Sequence, residues 1–237
     1  MPSADRLHPS QPPSKVLTLS EKNESKYQSS STVAPGGTVY LLTVCETNVE
    51  TQTDTIGLYQ MTDDGWKKLC EFDQKFAIKQ EMTYTRRYSA RNFVFCDGES
   101  RPFVFLYDMV DETLAAYKYS HASKRAEKIA AVSIKIASQS SLGTNIVSCI
   151  DGKTVFFACS NGSTYIDFLA YDFGSNEFQQ GGEFVTGSNI FLNSIAHKND
   201  YTYLLVADHG GTCDAVYLYG FQNLLKTYRS CFLKTTV

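Results

Sequence analysis

The side chains best able to do chemistry lie in one short run, Asp208-His209-Gly210-Gly211-Thr212-Cys213-Asp214, where carboxylates, an imidazole and a thiol share a glycine-rich stretch. A cysteine becomes a nucleophile when a neighbouring base takes its proton, so Cys213 with His209 is the pairing that such chemistry would use. A tight turn does not by itself make the two converge. One imidazole with two carboxylates is also a sparse metal set, and no second cluster supports it. The run reads first as a turn with polar side chains: no catalytic residue and no metal ligand is assigned, and Asp208 and His209 stay as candidates for contact with a partner.

Two basic groups are the next candidates, Arg86-Arg87 with Arg91, and Lys124-Arg125 with Lys128. Both lie in or beside connections between apolar runs, where they would present a face to an acidic protein partner. Asp108 and Asp172 each follow a tyrosine just ahead of a turn. Aspartate there commonly accepts backbone N–H groups, so a structural role is expected for both rather than a pair of channel carboxylates. No G-x-S-x-G, phosphate-binding loop or dinucleotide fingerprint occurs, and no cofactor is expected.

The bulk properties narrow the partners. A net charge of −3 over 237 residues gives no whole-molecule field that would draw in a polyanion, so nucleic acid is not an expected partner. The N-terminal stretch lacks the apolar centre of a secretory signal, and no run approaches the roughly 18 apolar residues of a membrane helix. A cytoplasmic protein with no membrane partner is expected. Seven cysteines, dispersed and without a CxxC, read as reduced thiols acting as small apolar residues.

These candidates must be held by elements, and the elements repeat. Leu58-Tyr59-Gln60-Met61, Leu106-Tyr107-Asp108-Met109, Ala170-Tyr171-Asp172-Phe173 and Leu218-Tyr219-Gly220-Phe221 share one pattern: an aliphatic residue, Tyr, a small or polar residue, then Met or Phe. Successive tyrosines are 48, 64 and 48 residues apart (107−59, 171−107, 219−171). Periods of about 40 to 50 residues are characteristic of propellers and related arrays. Four units follow, at about 38–74, 78–122, 143–186 and 188–233, each of three or four antiparallel strands in meander order. The expected fold is all-β, a small β-propeller of about four blades; a β-sandwich or two small β-domains is the alternative.

Residues 1–35, rich in Pro and Ser, are expected to form a flexible arm, because they cannot bury enough apolar surface to offset chain entropy. The first unit looks one strand short. Either the tail SCFLKTTV or Val16–Leu19 is expected to complete it and latch the ring. The stretch HASKRAEKIAAVSIKIASQSSLG carries the 16 extra residues of the middle interval and stays ambiguous between helix and strand, with the alternation of Val132, Ile134 and Ile136 favouring a strand.

The order of an apolar strand, a glycine turn, then Tyr with a large apolar residue seven positions on resembles the kelch repeat of β-propellers. Tyr59 and Trp66 match its Tyr and Trp spacing, and Gly210-Gly211 matches its glycine pair. What the resemblance implies is a ring of blades in which Tyr and the residue at Tyr+7 (Trp66, Leu114 or Phe178, with Lys226 in the fourth unit) pack between neighbours. The functional expectation is a noncatalytic module that presents blade loops to a protein partner. The alternatives are a carbohydrate-binding propeller, whose aromatic residues would stack on glycans, and an enzyme with a site in the central channel.

Overall fold

Apolar runs rich in β-branched and aromatic residues pair with their neighbours in chain order, and this one habit generates most of the fold. The computed structural model describes residues 29–81, 84–88, 92–136, 146–160, 165–185, 190–208, 215–222 and 235–236. The first sheet is β1 (Ser29–Val33), β2 (Val39–Asn48), β3 (Thr53–Thr62) and β4 (Gly65–Lys75). A separate hairpin follows, β5 (Ala77–Glu81) with β6 (Tyr84–Tyr88). The second sheet is β7 (Phe93–Cys96), β8 (Pro102–Asp108), β9 (Thr113–Ser120) and β10 (Arg125–Ser133). The third is β11 (Ile146–Asp151), β12 (Thr154–Ser160), β13 (Tyr165–Asp172) and β14 (Glu177–Val185). The fourth is β15 (Ile190–Lys198), β16 (Tyr201–Asp208), β17 (Ala215–Gln222) and β18 (Thr235–Thr236). The four antiparallel sheets are the blades of a four-bladed β-propeller.

Burial follows position in the blade. β8 and β12 are buried along nearly their whole length, because a sheet in the ring has a neighbour on each face. The fourth strands β10 and β14 lie at the rim and are largely exposed. Three hydrophobic clusters fill the seams. Leu42, Ile56 and Leu58 meet Val94, Val104 and Leu106 between blades 1 and 2. Phe103, Phe105 and Tyr107 meet Phe157 and Tyr171 between blades 2 and 3. Phe156, Ile166 and Phe168 meet Leu192, Leu204 and Phe221 between blades 3 and 4. The middle seam is the most aromatic: Phe105 and Tyr171 stand edge to face at 5.1 Å, and Tyr171 and Phe178 at 5.0 Å. Such pairs contribute about 0.5–1.5 kcal/mol each beyond the area they bury.

Hydrogen bonds pin the first seam. Val94 N donates to Ser30 Oγ at 3.2 Å and Gly36 N donates to Ser100 Oγ at 3.2 Å, so β1 and the turn after it are tied to blade 2. Tyr40 on β2 shares a 3.1 Å hydrogen bond with His121 in the β9–β10 turn. The hairpin turns carry the backbone geometry that their residues foretell: Gly65 has φ of 109°, Gly152 of 59° and Asn176 of 58°.

Several expectations change. Ser29–Val33, assigned on composition to a flexible arm, is the missing strand of blade 1 and pairs with β2 from Ser29↔Thr43 to Val33↔Val39. Short polar side chains suit it because this strand gains its stability from backbone pairing, with alternate side chains exposed. The tail does not complete blade 1: Thr235 and Thr236 pair with Leu218 and Tyr217 of β17, in blade 4. Val16–Leu19 lies outside the described residues. The stretch QEMTYTRRYSA, expected as the first strand of unit 2, contributes instead to the β5–β6 hairpin outside the blades. Blade 2 has four strands without it, because the ambiguous stretch after His121 forms β10.

The uneven interval then has a cause. Tyr59, Tyr171 and Tyr219 lie on the third strand of their blades, whereas Tyr107 lies on the second. Packing between blades holds for Tyr107, Leu114, Tyr171 and Phe178, which all belong to the cluster between blades 2 and 3. Tyr59 is in none of the three clusters. It sits on the opposite face of β3 from Ile56 and Leu58, with its hydroxyl 3.0 Å from Cys45 Sγ.

Candidate functional site

Among the described residues, sequence-nominated residues line a concavity at the rim between blades 1 and 2. The middle of β4, Cys70-Glu71-Phe72-Asp73, faces Tyr117 of β9 and Lys124, Arg125 and Ala126 at the turn into β10, enclosing a cleft of about 380 Å³. That size falls within the roughly 300–1,000 Å³ of ordinary ligand sites. Strand alternation shapes it. Phe72 is buried while Glu71 and Asp73 are exposed on either side of it. The Phe72 ring meets Tyr117 edge on, with centroids 5.2 Å apart and planes at 66°, which makes an apolar aromatic floor. Lys124 closes the β9–β10 turn with φ of 55°, and Arg125 begins β10.

The charge that faces the cleft belongs to blade 2. On β4, Glu71, paired with Lys68 at 2.6 Å, and Asp73 alternate with Phe72 and so project from the other face of the strand, the face of Tyr59. On the blade 2 side Lys124 and Arg125 are exposed, and among the described residues no ion pair joins either of them to Glu71 or Asp73. Burial, followed by the charge of Glu71, pushes the Cys70 thiol up to about 11, so it is protonated at neutral pH and is no nucleophile there. The Tyr117 hydroxyl is likewise raised, first by burial and then by Asp108. The floor is therefore neutral and the charge is confined to the lips.

Among the described residues no other nominated residue lines this cleft. Arg86 and Arg87 lie on β6 of the separate hairpin, and Arg91 is outside the described residues. Asp208 is the last residue of β16; His209 and the Gly210–Asp214 run lie outside the described residues. Lys124 and Arg125 are at a turn within blade 2, not in a connection between units, because β10 continues the blade beyond them. Asp108 and Asp172 have the structural role expected of them. Asp108 Oδ1 accepts from Val110 N at 2.9 Å and Asp111 N at 3.0 Å, and Asp172 Oδ1 accepts from Gly174 N and Ser175 N, both at 2.8 Å. Cys45, Cys70, Cys96, Cys149 and Cys159 are free thiols. Among the described residues no three His, Cys, Asp or Glu side chains are grouped to hold a metal ion, and no helix is long and apolar enough to cross a membrane.

No protein-family model matches the chain, kelch included, and no curated protein sequence does so either. Likeness to solved structures is distant. An α-L-arabinofuranosidase from Clostridium thermocellum is 10% identical with a TM-score of 0.48, over 89% of this chain and 72% of the other. Puromycin hydrolase is 8% identical with a TM-score of 0.47, over 87% of this chain and 28% of the other. An exo-β-1,3-galactanase from the same Clostridium is 10% identical with a TM-score of 0.44, over 82% of this chain and 45% of the other. The chain thus spans less than half the length of the last two. The shared feature is the arrangement of blades.

Exposed aromatic residues at matching blade positions would point to glycan binding. The exposed tyrosines are Tyr165, which opens the third strand of blade 3, and Tyr201 and Tyr203 on the second strand of blade 4, so they do not repeat from blade to blade among the described residues. The cleft residues that sequence reasoning passed over are Cys70, Glu71, Phe72, Asp73, Tyr117 and Ala126. Their only local signal is the exposed–buried alternation of β4; nothing short-range ties residues 70–73 to 117–126.

Proposed function

We propose that this chain is a noncatalytic interaction module that receives a protein partner at the rim between its first two blades. The observation that carries this reading is the Lys124–Arg125 pair, exposed and without ion-pair partners among the described residues, standing beside a neutral aromatic floor. Opposed charges across an interface steer encounter and fix register, while a desolvated aromatic centre supplies most of the affinity. The kelch resemblance supports the same reading only at the level of fold, since propellers host many unrelated functions.

The test is a pull-down from source cells with the wild-type chain and with the Lys124→Glu/Arg125→Glu double variant, followed by mass spectrometry. A partner retained by the wild type and lost by the variant is the expected result. Retention of no protein, together with specific binding on a glycan array, would replace this reading with the carbohydrate-binding one.

A further inference from the structure

The geometry points to strand addition: the cleft takes an extended, acidic peptide segment whose backbone pairs with the free edge of β4 at Cys70–Asp73 and whose carboxylates meet Lys124 and Arg125. This rests on the reading of the cleft as a protein-binding site and names the form of the ligand. β4 borders β3 alone, so every second residue along it directs its backbone N–H and C=O away from the sheet. Natural edges are guarded with lysines and bulges. β4 has both, but neither falls within Cys70–Gln74. Lys67, Lys68 and a bulge at Leu69 precede this stretch and Lys75 follows it, while pairing is regular from Cys70↔Leu58 to Lys75↔Thr53. Among the described residues no further backbone hydrogen bond reaches residues 70–73.

The unguarded stretch is the one that forms the cleft wall, with the two cations across from it. A strand laid against it would place alternate side chains over Phe72 and Tyr117. Paired main chains would supply affinity, and alternating pockets and charges would supply specificity. Charge favours an acidic occupant on the Phe72 face, because Glu71 and Asp73 project from the other face of β4 while Lys124 and Arg125 have no carboxylate partner among the described residues.

The experiment uses the full chain and a blocked seven-residue peptide, Val-Thr-Glu-Thr-Val-Thr-Glu, whose odd positions present valine and glutamate on one face of an extended strand. Titration calorimetry gives affinity, and amide hydrogen exchange reports protection residue by residue. The acidic peptide should bind and slow exchange in the Cys70–Asp73 stretch. Affinity should fall at least tenfold for Lys124→Glu/Arg125→Glu, for the peptide with lysine in place of glutamate, and for the peptide methylated at alternate backbone nitrogens. A second variant, Glu71→Lys, keeps the cations and should not weaken acidic-peptide binding. No binding of the acidic peptide at millimolar concentration, or equal binding of the methylated one, overturns strand addition. So does a concentration-dependent dimer that Arg125→Glu dissociates, since a second copy would then be the occupant. If the pull-down partner depends on Lys124 and Arg125 but leaves β4 amides unprotected, strand addition fails while the proposed function stands.

Discussion

Gln74 and Asn92 exchange two hydrogen bonds across the seam of blades 1 and 2: Gln74 Nε2 donates to Asn92 Oδ1 at 2.8 Å, and Asn92 Nδ2 donates to Gln74 Oε1 at 2.9 Å. Their relative exposures are 3% and 6%, so neither amide has water to fall back on. Gln74 also donates to the backbone carbonyl of Tyr107, which ties the end of β4 to β8. A buried polar group that loses its partner costs about 1–3 kcal/mol, whereas removing both partners together costs much less than twice that. Gln74→Leu and Asn92→Leu should therefore each destabilise by about 1–3 kcal/mol, and the double variant by less than the sum. Urea denaturation of the four proteins measures the coupling; strict additivity would show that the pair is not a unit.

Tyr107 is a second pin. Its hydroxyl donates to Ile134 O at 2.9 Å and accepts from Ile136 N at 3.1 Å, holding the segment after β10 against the aromatic seam. Burial raises the hydroxyl pKa to about 12, so it remains a donor throughout the usual pH range. Tyr107→Phe keeps the ring and removes both bonds. It should lower stability by about 1–3 kcal/mol with the m-value unchanged. A midpoint equal to that of the wild type would mean that water replaces the hydroxyl.

Gly57 on β3 is an absence with a purpose. A Cβ built there would lie 2.5 Å from Cys45 Sγ and 2.6 Å from the Tyr59 ring, the two groups that meet over it. Gly57→Ala should destabilise by about 1–3 kcal/mol through overpacking, despite the loss of chain entropy that alanine spares. Adding Cys45→Ala should recover part of the loss, and a thermal melt of both variants would reveal it.

His197 predicts one arm of the pH dependence. Its ring stacks on Phe156 at 3.8 Å between centroids, and Nδ1 lies 2.7 Å from the hydroxyl of fully buried Thr202. Burial holds its pKa below the ordinary 6.5, although Asp151 and Asp200 pull it up. The unfolded chain therefore takes a proton before the folded one. Stability rises with pH through the window from the lowered value to 6.5, and is lost as pH falls through it. His197→Gln should flatten that slope in chemical denaturation between pH 5 and pH 7, values that bracket the ordinary histidine range of about 6.5.

Asp167 predicts the opposite sign. It lies across from Glu183 in the β13–β14 ladder, and burial, followed by that like charge, raises its pKa above 3.8. The folded chain then holds the proton longer. Stability falls as pH rises from 3.8 through the raised value, and Asp167→Asn should remove that fall and raise the neutral-pH midpoint. A wild-type slope retained in Asp167→Asn would assign the effect to another carboxylate.

What the sequence alone determined is what short range determines. Apolar runs bounded by Gly65, Gly152 and Asn176 specify antiparallel meanders, and the aspartates ahead of turns specify their own backbone bonds. The recurrence of Tyr59, Tyr107, Tyr171 and Tyr219 was enough to indicate four units, even though Tyr107 stands on a different strand from the rest. Tertiary structure decided which strands complete a blade, because pairing with an existing edge stabilises even Ser29–Val33, whose side chains bury little. It also decided the cleft. Cys70–Asp73 meets Tyr117 and Lys124–Ala126 only because blades 1 and 2 pack through Leu58, Val104 and Leu106, a contact between residues far apart in the chain that no local pattern encodes.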